Sequence, residues 1–98
     1  MISDGRQILA LLQDRRDVLR NRFAVSRVGL FGSWARNEAV ATSDVDILVT
    51  FDQPTFDHYM DLKFYLEDLL KCRVDLVMES ALRPRLRDHV LREVRYAA

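Results

Sequence analysis

The residues best suited to chemistry are three aspartates at the starts of two apolar runs. The stretch SDVD leads into one run, and Asp75 is the second residue of the other, VDLV. Side chains of a strand alternate between its faces, so Asp44 and Asp46 project the same way and Val45 projects the opposite way. If the two strands are neighbours, all three carboxylates converge at one end of the sheet.

Such a cluster points to a divalent cation. Clustered carboxylates repel one another and are costly to bury unless a cation neutralises them. Mg²⁺ prefers a few carboxylates together with phosphate oxygens and water, which Asp44, Asp46 and Asp75 would complement. Two such ions can clamp the attacking and leaving oxygens of a phosphoryl transfer, so we expect Mg²⁺ as two ions.

A second feature is the pair Gly32-Ser33, which ends another apolar run where a helix is expected to start. A strand that runs into a helix start leaves free backbone N–H groups and the positive end of the helix dipole, which bind anions. Glycine permits the close approach of a phosphate. Ser33 either caps the helix or donates its hydroxyl to a phosphate, and Arg36 can contact a triphosphate. A phosphate cradle facing a metal-binding cluster describes nucleotidyl transfer from a nucleoside triphosphate.

Each piece alone has a simpler interpretation. A Gly-Ser pair before a helix is usually a plain turn, and Asp-x-Asp usually belongs to a loop or an exposed strand end. Asp75 alone would be a sheet-edge residue, and Arg36 alone a surface arginine. Trp34 either stacks on a nucleotide or packs, and Asn37 tolerates a left-handed turn. The occurrence of all these residues together, in this order, favours a nucleotidyl-transfer site over separate structural roles.

The elements that must position these residues follow from the apolar spacing. Residues 4–21 predict one helix, opened by a capping box of Asp4 and Gln7. Ser33 is expected to cap a short helix through about Glu38, followed by a loop at 39–43. The longer elements are predicted strands at 25–31, 45–51 and 73–78, a helix from about Phe56 to Leu70, and a last helix with Pro84 in its first turn.

This order predicts an α/β fold, a single small domain over residues 1–98 with a mixed sheet of three or four strands covered by helices. The pattern leaves the strand order open. Residues 94–97 either finish the last helix or form a short edge strand that includes Tyr96. The apolar faces predicted for the three long helices comprise Ile8, Leu11, Leu12 and Leu19; Tyr59, Leu62, Leu66, Leu69 and Leu70; and Leu82, Leu86, Val90 and Val94.

Bulk composition excludes several classes of protein. With 49% hydrophobic and 31% charged residues the chain should be folded, and a formal net charge of zero argues against direct nucleic-acid binding. We expect no membrane contact, because the start lacks an apolar signal segment and no run reaches the ~20 residues that cross a bilayer. A lone cysteine fits a reducing, cytoplasmic location. The arginines of residues 83–95 are expected on a solvated face.

Other reactive side chains are expected to have structural roles. Lys71 and Arg73 flank Cys72 and would lower the pKa of its thiol, yet we expect this cysteine to pack. His58 and His89 are expected at the surface or in packing rather than at a metal.

Two motifs, GSWAR at 32–36 and SDVDILV at 43–49, match the pattern G-S-x-A-R…S-D-x-D-L-x-V. Through them the chain resembles the minimal nucleotidyltransferase (MNT) family of the DNA polymerase beta superfamily. The later DLV at 75–77 and the tail ALRPRLRDHVLREV at 81–94 resemble the family as well. The resemblance therefore covers nearly the whole chain.

The resemblance implies roles for individual residues. Gly32 and Ser33 would bind nucleotide phosphates, and Asp44 and Asp46 would hold Mg²⁺. Asp75 would be the third carboxylate, binding metal and favouring deprotonation of the acceptor hydroxyl. Because all three acids are present, an active enzyme is expected rather than a degenerate relative.

The resemblance also implies an activity and a partner. Stand-alone MntA-like members are commonly antitoxins of HEPN-domain ribonuclease toxins, similar to enzymes that transfer AMP from ATP to a tyrosine of the toxin. Larger superfamily members carry a second domain for the acceptor, whereas 98 residues leave no room for one. We therefore expect a Mg²⁺-dependent enzyme that uses ATP as substrate and acts on a HEPN-domain partner.

Two alternatives stay open. In the first, the chain is an antitoxin that acts only by binding and occluding its partner. In the second, it is a small-molecule nucleotidyltransferase whose pocket is completed in a homodimer, the form of homo-oligomer that this alternative requires.

Overall fold

One sheet of four strands organises the computed structural model, which describes residues 2–98. The strands are β1 (Val25–Phe31), β2 (Val45–Phe51), β3 (Val74–Met78) and β4 (Arg95–Tyr96), and their order in the sheet is β3-β2-β1-β4. The central strand β1 pairs antiparallel with both of its neighbours, whereas β2 and β3 run parallel. The mixed, four-stranded sheet confirms the predicted fold class.

Within residues 2–98, five helices and one 3₁₀ turn (Glu79–Ala81) connect and cover the strands. The predicted capping residue Asp4 accepts a hydrogen bond from the N–H of Gln7 at 3.0 Å. The reciprocal bond runs to the Gln7 side chain from the N–H of Ser3, one residue before the cap. The helices are α1 (Gly5–Asp14), α2 (Arg16–Phe23), α3 (Gly32–Ala35), α4 (Phe56–Leu70) and α5 (Pro84–Glu93).

The prediction of one helix over residues 4–21 is wrong, because the helix breaks at Arg15. The N–H of Arg15 bonds to two carbonyls, those of Leu11 and Leu12, at 3.1 and 3.2 Å. The bend lets α1 pack on β1 while α2 packs on α4. Leu12 and Leu19 are buried on either side of the break. Because they are two helical turns apart, the apolar spacing is that of one continuous helix and does not indicate the break.

The main core lies on the sheet face covered by α1, α2 and α4. Alternate residues of β2 point into it, as the period of a strand requires. The predicted stripe of α4 is confirmed, with Leu62, Leu66 and Leu70 buried. The core residues of β2 are Val45, Ile47, Val49 and Phe51.

The last helix follows its prediction only in part. Pro84 stands at the first helical position and Val90 is buried, but Leu86 is 55% exposed. The helix therefore contacts α3 near its C-terminal end, and its N-terminal half is exposed to solvent. After it, Arg95 and Tyr96 pair with β1, which confirms the predicted edge strand. Within residues 2–98, no helix combines the length and apolar character needed to cross a membrane.

Candidate active site

The parallel pairing of β2 with β3 places Asp46 directly beside Asp75. Each is the second residue of its strand, so the two side chains leave the same face of the sheet. Their neighbours Val45 and Val74 are buried on the opposite face, in the core. Asp44 comes just before β2 and is exposed. The structure therefore brings the predicted carboxylates to one end of the sheet.

This arrangement changes the acidity of Asp46, whose pKa rises from 3.8 to about 6. Burial is the largest cause, because it disfavours the charged form of a carboxyl group. The charge of Asp75 and a hydrogen bond with it come next, followed by the charge of Asp44. Arg36 acts in the opposite direction and lowers the pKa.

The turn between β1 and α3 approaches the same carboxylate. Gly32 has a positive φ of 76°, a conformation that residues with a side chain rarely adopt. A Cβ atom at this position would collide with the carboxylate of Asp46. Glycine is therefore required twice, by the backbone angle and by contact with the acidic cluster.

Ser33 does not cap the helix, contrary to the prediction. The cap position belongs to Phe31, whose side chain makes no capping bond, and Ser33 lies inside α3. The helix ends at Ala35 rather than near Glu38, since Asn37 takes the left-handed conformation with φ 60°. The predicted tolerance of Asn37 for a left-handed turn is thus used.

Arg36 lies at the end of α3 between two acids. Its Nη1 donates to Glu93 at 3.0 Å and its Nε donates to Glu38 at 3.3 Å. The hydrogen bond with Glu38 and then that with Glu93 raise the pKa of the guanidinium group. The predicted phosphate contact, Arg36, is thus already held by two carboxylates.

Trp34 packs against the protein, which was one of the two roles predicted for it. Its indole Nε1 donates to the carbonyl of Ser43 at 3.3 Å, and its ring lies against the core. The hydroxyl of Ser43 in turn accepts a hydrogen bond from the N–H of Val40 at 3.0 Å. These contacts tie the loop before Asp44 to α3, and so couple the Gly-Ser turn to the carboxylates.

Comparisons with known proteins agree with this geometry. The sequence matches the nucleotidyltransferase domain family over residues 12–97. It is 47% identical over 91 residues to the protein adenylyltransferase MntA of Thermococcus cleftensis, covering 92% of each chain. A solved structure assigned to the minimal nucleotidyltransferases superposes with a TM-score of 0.79 and 42% identity, over 95% of each chain. The chain belongs to the minimal nucleotidyltransferase family.

A more distant structure shares the fold of this minimal nucleotidyltransferase. It is a chain from the complex of the tri-AMPylated Shewanella oneidensis HEPN toxin with an MNT antitoxin. The TM-score is 0.65 at 20% identity, over 92% of this chain and 71% of that one. At this level of identity the likeness concerns the fold alone.

A cleft of about 360 Å³ opens beside the carboxylates of the minimal nucleotidyltransferase. A larger groove, of about 440 Å³, is lined mainly by α1 and α4 and by none of the predicted site residues. Lys63 was not assigned to the site from the sequence, although Lys63 is the single Lys or Arg in the acidic stretch of residues 44–68. The residues lining the smaller cleft are Asp44, Lys63, Glu67, Arg73, Val74 and Asp75.

The donor set of this site fits Mg²⁺. Asp46 and Asp75 offer oxygen ligands, and a cation would relieve the repulsion between them. Within residues 2–98, no three acidic, cysteine or histidine side chains already surround one point. Two protein carboxylates are enough for Mg²⁺, which takes its other ligands from phosphates and water.

The remaining predicted side chains have structural surroundings. Burial and the charges of Asp44 and Glu67 raise the pKa of Cys72, so the expected lowering by its basic neighbours is wrong. Cys72 packs against the core, as predicted. His89 is exposed, but it lies 3.2 Å from Glu93, four residues further on.

Proposed function

We propose that this minimal nucleotidyltransferase transfers AMP from ATP to a hydroxyl group of a partner protein and so acts as the antitoxin of a HEPN-domain toxin. The observation that carries the proposal is the pairing of Asp46 with Asp75 against the Gly32 turn. The name of the MntA relative, a protein adenylyltransferase, and the AMPylated toxin in the more distant complex support it.

Each site residue has a role in this proposal. Asp44 and Asp46 hold Mg²⁺, Ser33 binds the phosphates of ATP, and Gly32, which has no side chain, lets these phosphates approach closely. When bound, Mg²⁺ neutralises phosphate charge and favours the ionised acceptor hydroxyl. If two ions bind, Asp75 would be the further carboxylate that helps to hold them.

Asp75 faces the acceptor in this scheme. Its side chain is exposed, so a partner's hydroxyl can reach it. Asp75 takes the proton from that hydroxyl while the oxygen attacks the α-phosphorus of ATP. The bond from the α-phosphorus to the bridging oxygen breaks, and pyrophosphate leaves. A tyrosine is the acceptor we propose, because a phenol ionises more readily than an aliphatic hydroxyl.

The test is labelling of a co-expressed HEPN-domain partner with α-labelled ATP and Mg²⁺. Asp44→Asn and Asp46→Asn should abolish labelling, because each removes a proposed metal ligand. Asp61→Asn should label normally, since Asp61 is an exposed carboxylate of α4 outside the cleft. Mass spectrometry of the product then identifies the modified residue.

Three results would count against the proposal. Normal labelling by both variants would exclude the assigned metal ligands. Label on a small hydroxyl compound, and on no protein, would identify a different acceptor. Neutralisation of the partner by Asp44→Asn and Asp46→Asn at equal stoichiometry, without label, would show that occlusion suffices.

A further inference from the structure

We infer that Glu93, at the end of α5, is a positioning residue for the nucleotide site. Its carboxylate fixes the Gly32 turn and the direction of Arg36, and through them the affinity for ATP. The inference rests on the proposed function, and it adds a residue of α5, which lies outside the motifs GSWAR and SDVDILV.

The contacts of Glu93 are shared among three groups. Its Oε1 accepts hydrogen bonds from the backbone N–H of Gly32 and from Nη1 of Arg36, the latter at 3.0 Å. Its Oε2 lies 3.2 Å from Nε2 of His89. The side chain is only 11% exposed, so these are contacts of a largely buried carboxylate. Hydrogen bonds to such a charged group are stronger than bonds between neutral groups.

The consequence for the turn is geometric. The N–H of Gly32 points at Glu93, so it holds the turn rather than a phosphate. Gly32 also lies against Asp46, where any side chain would collide with the carboxylate. Glu93 on one side and Asp46 on the other therefore fix where the turn can sit. If Glu93 is removed, the turn and Arg36 lose a common anchor.

Glu38 provides a matched comparison. It also pairs with Arg36, but its side chain is 64% exposed, and its carboxylate has no bond to Gly32. An exposed pair of this kind contributes little to a fixed geometry. Substitutions at Glu93 and Glu38 therefore distinguish the effect of anchoring the Gly32 turn from the effect of neutralising Arg36.

The experiment measures the affinity for Mg²⁺–ATP by calorimetry, and KM and kcat for partner labelling. Glu93→Ala should weaken ATP binding about tenfold, the effect of losing one charge-assisted hydrogen bond. Glu93→Gln keeps an acceptor for Gly32 and should lose less. Glu38→Gln should stay within about twofold of the wild type. The change should appear in KM with kcat nearly constant, whereas a partly unfolded variant would lose kcat at unchanged KM.

The outcomes distinguish this inference from the proposed function. Equal ATP affinity in the wild type and both Glu93 variants overturns the inference and leaves the function standing. Tighter binding by Glu93→Ala also overturns it, because the carboxylate would then compete with a phosphate. A wild-type chain that binds no ATP overturns the proposed function and this inference with it.

Discussion

At the scale of single residues, the site joins groups that are unfavourable by themselves. The burial of Asp46 beside a second carboxylate carries a cost in free energy, and it occurs where Asp46 contacts Gly32. Such costs concentrate where a protein binds or reacts, because the arrangement is kept for its ligand rather than for stability.

The raised pKa of Asp46 predicts that Asp46→Asn stabilises the free protein at neutral pH. Asp46 has a pKa of about 6 in the folded chain against an ordinary value of 3.8, so the folded form binds its proton more tightly. Stability is therefore lost as the pH rises from about 4 to about 6. Allowing for partial exposure, Asp46→Asn should raise the unfolding free energy at pH 7 by about 1–2 kcal/mol.

Urea unfolding of the wild type and Asp46→Asn at pH 4 and pH 7 checks this. The unfolding free energies of the two proteins should be nearly equal at pH 4, and at pH 7 that of Asp46→Asn should be higher by the amount given above. Asp61→Asn serves as the control and should follow the wild type at both values. A variant less stable than the wild type at pH 7 would contradict the physical account of the site. Added Mg²⁺ should reduce this difference in unfolding free energy, because it stabilises the carboxylates of the folded wild type.

Residue chemistry was the part most open to prediction from the sequence. The alternation of side chains along a strand was enough to put Asp44 and Asp46 on the face opposite Val45. The position of Asp75 needed only the assumption that its strand is a neighbour of β2. Glu93 gave no such signal, because its bond to Gly32 spans 61 residues of sequence.

At the scale of elements, local rules worked where an element depends on its own residues. The helix α4 and the strands β1 and β2 have the predicted ranges, because the apolar pattern that defines each element lies within its own residues. The rules failed where packing decides. The break at Arg15 and the exposure of Leu86 depend on what α2 and α5 contact, which the apolar period does not record.

The cap of α4 gives a prediction at this scale. The hydroxyl of Thr55 accepts a hydrogen bond from the N–H of His58 at 3.0 Å. Thr55→Ala removes the acceptor and should lower the unfolding free energy by about 1 kcal/mol. Thr55→Ser keeps an acceptor and is the matched control. Urea titration compares the two, and equal stability of Thr55→Ala and Thr55→Ser would refute the capping role.

At the scale of the whole molecule, the main core and the carboxylates lie on opposite faces of the sheet. The core residues of β2 alternate with Asp46, so the carboxylate face can change without opening the core. This division explains why substitutions such as Asp44→Asn are expected to remove activity and leave the fold intact.

The same organisation predicts an order of hydrogen exchange. Amides of β1 and β2 should exchange most slowly, because these strands are central and carry fully buried side chains. Amides of the two-residue strand β4 and of the loop at 39–43 should exchange faster than those of β1 and β2. Exchange measured by nuclear magnetic resonance checks this, and fast exchange in β2 would contradict the packing described here.

The parallel register of β2 and β3 has a consequence for how the sequence can vary. Only residues 71–73 link α4 to β3, and Lys71 already takes a left-handed angle, with φ 57°. One inserted or deleted residue there would shift β3 by one position and turn Asp75 to the opposite face. Natural variation in this link should therefore change the identity of its residues but keep their number.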